Sequence, residues 1–175
     1  QSVEVPKYLK KLRIGVMCSG NGTNFENIVR SCRQDEVVLM VYNKKHCGAK
    51  KRANKLGIPN CHVKHCDEDD IIKLFNAYNV DLIVLAGWMK IVSPKLIEAF
   101  PNRLINLHPS LLPKYKGLHA IERALNSSDI VTGVSVHYVN EELDGGELIL
   151  QEEVPILPND DIESLTKAIQ RKEYY

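Results

Sequence analysis

The feature that most constrains this chain is an alternation. Short runs that are apolar at nearly every position are separated by stretches with helical spacing. Arg13 to Cys18 (RIGVMC), Val37 to Tyr42 (VVLMVY), Leu82 to Ala86 (LIVLA) and Leu104 to Leu107 are such runs. A strand with one wet face would alternate polar and apolar residues. These do not, so both their faces are covered, as in a parallel sheet built from strand–helix–strand units. Asn24 to Cys32 fits a helix with Phe25, Ile28 and Val29 on one face. Ala49 to Leu56 fits a helix stopped by Gly57 and Pro59, and Asp69 to Asn76 fits another. Pro94 to Phe100 reads as a helix with Ser93 at its N-cap and proline in its first turn. Asn60 to Val63 is a short further strand.

The second half changes character. Thr132 to Val139 and Leu148 to Val154 are β-rich runs separated by Asp-Gly-Gly, and a terminal helix starts at Ile162. The expected class is α/β: a Rossmann-like, mainly parallel twisted sheet with helices on both faces and an added β-rich C-terminal part. With no internal repeat or linker, one domain is expected over residues 1–175, with 1–11 as a flexible arm.

Composition narrows the partners. Lys and Arg balance Asp and Glu to a net charge of +1, so no field of one sign recruits nucleic acid or an anionic membrane. No apolar run approaches the ~20 residues of a membrane helix, and the lysine-rich start carries no secretory pattern. The chain begins without Met, which reads as a trimmed or processed product. Five cysteines, an odd number in a domain of this size, read as reduced and intracellular. The expected location is cytoplasmic, or an organelle if a presequence was removed. Cys61, His62, His65 and Cys66, with His46 and Cys47 upstream, supply zinc-type ligands. Their adjacent pairs lack the spacing of structural zinc sites, and on a strand Cys61 and His62 point to opposite faces. No metal is expected.

Ser19-Gly20-Asn21-Gly22-Thr23-Asn24 lies between a strand and a helix. Glycines there let backbone amides approach an anion at a helix N-terminus. From the loop alone, a phosphate site at Gly22, Thr23 and Asn24 and a plain tight turn stand equally. A dinucleotide fingerprint would need a third glycine and an acidic residue after the second strand. That strand instead ends Tyr42-Asn43-Lys44-Lys45, which argues against NAD and leaves only NADP, with the lysines on its extra phosphate.

Asn106-Leu107-His108-Pro109-Ser110 lies at the C-terminal end of an expected strand, the edge that carries ligands in open α/β sheets. Asn106 and His108 are two apart and project to the same side. An amide and an imidazole side by side suit a carbonyl under attack: Asn donates to the oxyanion, His donates or relays a proton. In isolation such a pair is more often a capping Asn and a surface His.

The surrounding residues decide. Asn106 to Gly117 (NLHPSLLPKYKG) resembles the signature of folate-dependent formyltransferases, and Gly133 to Gly146 (GVSVHYVNEELDGG) resembles their second signature. SGNGTN and Leu85 to Pro94 (LAGWMKIVSP) are similar to the glycinamide ribonucleotide branch of that family. The resemblance implies Asn106, His108 and Asp144 as the catalytic set. It implies Gly22, Thr23, Asn24 and Phe25, with Gln170 and Glu173, as contacts to the amine substrate, 5-phosphoribosylglycinamide. It implies Met89, Lys90, Ile91 and Val92, with Asn140, Glu141, Glu142, Leu143 and Asp144, as folate contacts. Lys64 or Lys73 would fill the family's basic folate contact. The co-substrate implied is 10-formyltetrahydrofolate, and the assembly a monomer or weak homodimer. Formyltetrahydrofolate hydrolases and tRNA formyltransferases, which carry further domains in the family, are the alternatives.

Overall fold

The computed structural model describes residues 11–32, 34–64, 67–88, 90–142 and 144–172. Expectations placed on residues 1–10, His65, Cys66, Met89, Leu143 and Glu173 lie outside the described residues. Contacts divide the chain into two compact units, Gln1–Trp88 and Met89–Tyr175.

The first unit is the parallel α/β part. Its elements are β1 (Arg13–Cys18), α1 (Thr23–Ser31), β2 (Glu36–Tyr42), α2 (Gly48–Leu56), β3 (Asn60–His62), α3 (Glu68–Ala77) and β4 (Leu82–Leu85). The strands run side by side in the order β3-β2-β1-β4, each pair parallel. The order places β1 centrally, and its Val16, Met17 and Cys18 are fully buried. Gly15 has a packing reason: a Cβ there would come 2.5 Å from the Phe75 ring of α3. The helix ends obey local chemistry. Asp67 caps α3 by accepting from the amides of Asp69 and Asp70, and Gly57 ends α2 in the left-handed region at φ 72°.

The second unit holds α4 (Pro94–Ala99), β5 (Leu104–His108), α5 (Ala120–Leu125), β6 (Val131–Tyr138), β7 (Leu148–Pro155) and α6 (Ile162–Lys172). Here the strands pair antiparallel, β5 with β6 and β6 with β7. Val134 of β6, Val154 of β7, and Leu165 and Ile169 of α6 form its apolar cluster, with Ile121 and Leu125 of α5 against them. The parallel half followed by a β-rich half is the α/β, Rossmann-like arrangement expected from the sequence. Two details differ. Ser93 stands at the N-cap of α4, but its side chain makes no capping bond. The short α5 is not among the elements expected from the sequence.

Candidate active site

The register of two strands builds the site. Asn106 of β5 lies opposite His137 of β6, and His108 lies opposite Ser135. Directly opposed residues share a face, as do residues two apart, so all four present one face. His108, Ser135 and His137 are buried.

Asp144 arrives from the turn after β6. Its φ is 52°, left-handed and uncommon for a residue other than glycine. The turn is stapled by Asn140, whose Oδ1 accepts from the Glu142 amide at 2.8 Å and whose Nδ2 donates to the Gly145 carbonyl at 3.3 Å. Gly146 is required sterically, since a Cβ there would overlap the Tyr138 carbonyl oxygen. The turn therefore folds tightly back onto the end of β6, with the Asp144 carboxylate aimed at the strand face.

One carboxylate oxygen then gathers the cluster. Asp144 Oδ1 lies 3.4 Å from Asn106 Nδ2, 3.5 Å from His108 Nδ1 and 3.7 Å from His137 Nε2. All three separations exceed the usual 2.7–3.2 Å, so the nitrogens are collected without being held by strong bonds. The other oxygen, Oδ2, accepts from the Gly117 amide at 2.7 Å and fixes the carboxylate. Asp144 is only 8% exposed. Burial works to raise its carboxyl, but is outweighed by the nearby His137 imidazole, the Gly117 amide and the charge of His108. Together these hold it below the usual carboxylate range.

Each imidazole has a second anchor. His108 Nε2 donates to the Tyr115 carbonyl at 2.8 Å. With Nδ1 facing Asp144, both ring nitrogens face acceptors. His137 Nδ1 donates to the Tyr138 carbonyl at 2.8 Å, leaving Nε2 3.3 Å from Asn106 Nδ2. A lone pair on that Nε2 accepts from Asn106; a proton there donates to Asp144.

The segment after β5 is tied to the same face. Ser135 Oγ donates to the Ser110 carbonyl at 2.6 Å and accepts from the Leu112 amide at 3.0 Å. Gln151 of β7 donates to the Leu112 carbonyl at 2.8 Å and to Ser135 Oγ at 3.0 Å. The structure thus brings Asn106, His108 and Asp144 together and adds His137, which sequence reasoning missed. A signal was present: Gly133, Ser135 and His137 alternate with Val134 and Val136 along the strand, which sets a small and polar face against an aliphatic one.

In the first unit, Gly22 is the N-cap of α1 at φ 82°, and no side chain caps the helix. A Cβ at Gly22 would meet the Ala49 backbone at 2.5 Å, so the glycine is also demanded by packing against α2. Arg52 secures the loop from α2, donating to the Asn21 carbonyl at 2.9 Å and to Glu26 at 2.7 Å. Asn21 Nδ2 donates to Thr23 Oγ1 at 3.2 Å. Asn24 Oδ1 is buried with no hydrogen-bond partner among the described residues, and Phe25 is fully buried.

The other expected ligand contacts divide by exposure. Val92 is buried, whereas Ile91 is 67% exposed and Lys90 is exposed. Asn140, Glu141 and Glu142 lie exposed on the Asp144 turn, and Gln170 is half-buried on α6. Lys64 and Lys73 are both exposed. Cys61 and His62 sit side by side on β3, where His62 Nε2 lies 3.2 Å from the Asn43 carbonyl.

The chain belongs to the formyl transferase family, whose model matches residues 12–175. More narrowly, it is 39% identical to the phosphoribosylglycinamide formyltransferase of Haemophilus influenzae, over 93% of this chain and 82% of that protein. It is 37% identical to the trifunctional purine biosynthetic protein adenosine-3 of Drosophila melanogaster, over 95% of this chain and 13% of that protein. The solved glycinamide ribonucleotide transformylase 1 of Symbiobacterium toebii superposes with a TM-score of 0.87 at 35% identity, covering 94% of this chain and 82% of that one.

Proposed function

We propose that the chain transfers a formyl group from 10-formyltetrahydrofolate, its co-substrate, to the amine of 5-phosphoribosylglycinamide. The observation that carries this reading is the gathering of three nitrogens about Asp144 Oδ1 at 3.4–3.7 Å. When the amine attacks the formyl carbon, the carbonyl oxygen becomes an oxyanion. Asn106 Nδ2 and His108 Nδ1 are the donors for that charge. Their contacts to Asp144 are long, so turning toward a new acceptor costs little. Tyr115 keeps the His108 ring fixed by its other nitrogen meanwhile. The Asp144 carboxylate, 3.5 Å from His108 Nδ1, complements the positive end of that donor.

The proton balance falls to the same cluster. The attacking amine loses a proton and the departing folate nitrogen gains one. Asp144 accepts the first, directly or through one water, and the proton is delivered to the leaving nitrogen as the C–N bond breaks. The phosphate of the ribonucleotide is assigned to Gly22, Thr23, Asn24 and Phe25. There the uncapped N-terminus of α1 offers amides and a partial positive charge. Gln170 and Glu173 are assigned further contacts to this substrate. Residues 89–92 and 140–144 are assigned to the folate.

The test is an absorbance assay of folate deformylation with and without the ribonucleotide amine. The reading predicts turnover only with the amine and formation of the formylated product. Turnover independent of the amine would make the protein a hydrolase.

A further inference from the structure

One short backbone segment touches two of the reactive groups. The Tyr115 carbonyl accepts from His108 Nε2, and the Gly117 amide donates to Asp144 Oδ2. The segment runs through left-handed backbone at Tyr115, Gly117 and His119, with φ of 57°, 83° and 59°. Two of these are not glycine, so the conformation persists only because surrounding groups determine it.

Those groups lie outside the cluster already described. Tyr115 Oη donates to Asp129 Oδ2 at 2.5 Å. Lys114 Nζ lies 3.3 Å from both Asp129 oxygens. The Arg123 guanidinium of α5 sits over the Tyr115 ring, 5.5 Å from its centroid, and donates to the carbonyls of Lys116 and Leu118 at 2.6 and 3.0 Å. Asp129 is itself fixed: its amide donates to Ser127 Oγ, which donates to the Ala124 carbonyl at the end of α5. The Tyr115 hydroxyl and ring are thus held from α5 and the turn after it.

We propose that Asp129 is a positioning residue for the reaction: by holding the Tyr115 phenol it sets the carbonyl that orients the His108 ring and the amide that orients Asp144. Asp129 acts through Tyr115 rather than on the reacting atoms. Its consequence for turnover rests on the formyl-transfer reading above, whereas its consequence for the His108 ring does not.

The experiment compares Asp129→Ala, Tyr115→Phe and the double variant. Tyr115→Phe keeps the ring and the Arg123 stacking and deletes only the hydroxyl, so it serves even if Asp129→Ala folds poorly. Each single variant is expected to lower kcat roughly 10- to 100-fold, the scale of a catalytic group displaced by about an ångström. Both KM values should stay within about twofold, and the double variant should match the worse single one, as groups acting as a unit do. In protein labelled with ¹⁵N-histidine, the hydrogen-bonded Nε2 proton of His108, assigned from His108→Gln, should shift or vanish in each single variant. An unchanged His108 Nε2 proton in both variants overturns the proposal, as do kcat losses that multiply in the double variant. If the parent protein transfers no formyl group, the function proposed above fails, and the ring proton alone decides the role of Asp129.

Discussion

Replacing Asp144 by Asn keeps the shape of the side chain and removes its charge. The contacts of the two carboxylate oxygens fix how the new group sits. The parent Oδ2 accepts from the Gly117 amide at 2.7 Å, so the new amide oxygen takes that place. Its NH2 group then faces Asn106 Nδ2, His108 Nδ1 and His137 Nε2, at separations near 3.4, 3.5 and 3.7 Å. A donor now confronts donors. The only acceptor the new NH2 group can find among these three is a lone pair on His137 Nε2, which already serves Asn106, so the negative charge that gathered the donors is lost without replacement. The size of the lost interaction has a ceiling: a unit charge pair at that His108 distance is worth about 5 kcal/mol at an effective dielectric of about 20. The expected loss in kcat is roughly 10²–10³-fold, about 3–4 kcal/mol, which fits beneath that ceiling. The assay is the amine-dependent deformylation of the folate, with kcat and both KM values, beside a thermal unfolding curve. The turn itself survives, because Asn supports left-handed backbone as well as Asp does. A variant that turns over at the parent rate would show that Asp144 serves only the turn.

Four further outcomes are expected. Asn106→Ala should lower kcat about 10²–10³-fold, the scale of one oxyanion donor; a normal kcat with raised KM would make Asn106 a substrate-positioning group instead. Thr23→Asp places a negative charge at the first turn of α1. It should hold or raise the melting temperature, since an acidic group there is worth about 0.3–1 kcal/mol, while repelling the substrate phosphate. Its KM for the ribonucleotide should rise with the folate KM unmoved; an unchanged ribonucleotide KM would mean the loop is only a turn. Gly146→Ala drives a methyl into the Tyr138 carbonyl oxygen and should cost about 1–3 kcal/mol of stability, read as a lowered urea midpoint; an unmoved midpoint would refute the close approach. Finally, the Asp144 carboxyl is held below the usual range in the folded protein, so the folded state binds that proton less tightly than the unfolded chain. The resulting stability is present above the usual carboxylate range and is lost as pH falls through the folded value. Urea unfolding across acid pH should therefore fall less steeply for Asp144→Asn than for the parent, and equal slopes would contradict it.

The parallel half was readable because β1, β2 and β4 are covered on both faces, and covered strands are written as unbroken apolar runs. Its helix ends were readable too, since Gly57 and Pro59 act through local backbone chemistry. The helix α5 was not. It has six residues, and its buried positions are Ala120 and Ala124, too small to stand out as an apolar stripe. Asn106 and His108 stood out as a pair on a strand end, but it was the resemblance of the surrounding residues that singled them out together with Asp144. His137 stayed hidden because its partner is set by strand register. Nothing local to GVSVHYV says that His137 lies opposite Asn106. The role of Tyr115 was hidden for a similar reason: it acts through its carbonyl, which every residue possesses.

The cluster about Asp144 is drawn from one continuous stretch of chain, Asn106 to Gly146, on two neighbouring strands and the turns beyond them. During synthesis its groups emerge in quick succession, ahead of β7 and α6, whose Val154, Leu165 and Ile169 complete the apolar cluster with β6. The longest connection within it, residues 109–130, still keeps closure local in the chain, which limits the search. Natural shuffling or engineered permutation that cuts the chain outside this stretch leaves the cluster whole. A single break anywhere within it separates Asn106 from the glycine that turns Asp144 back toward it.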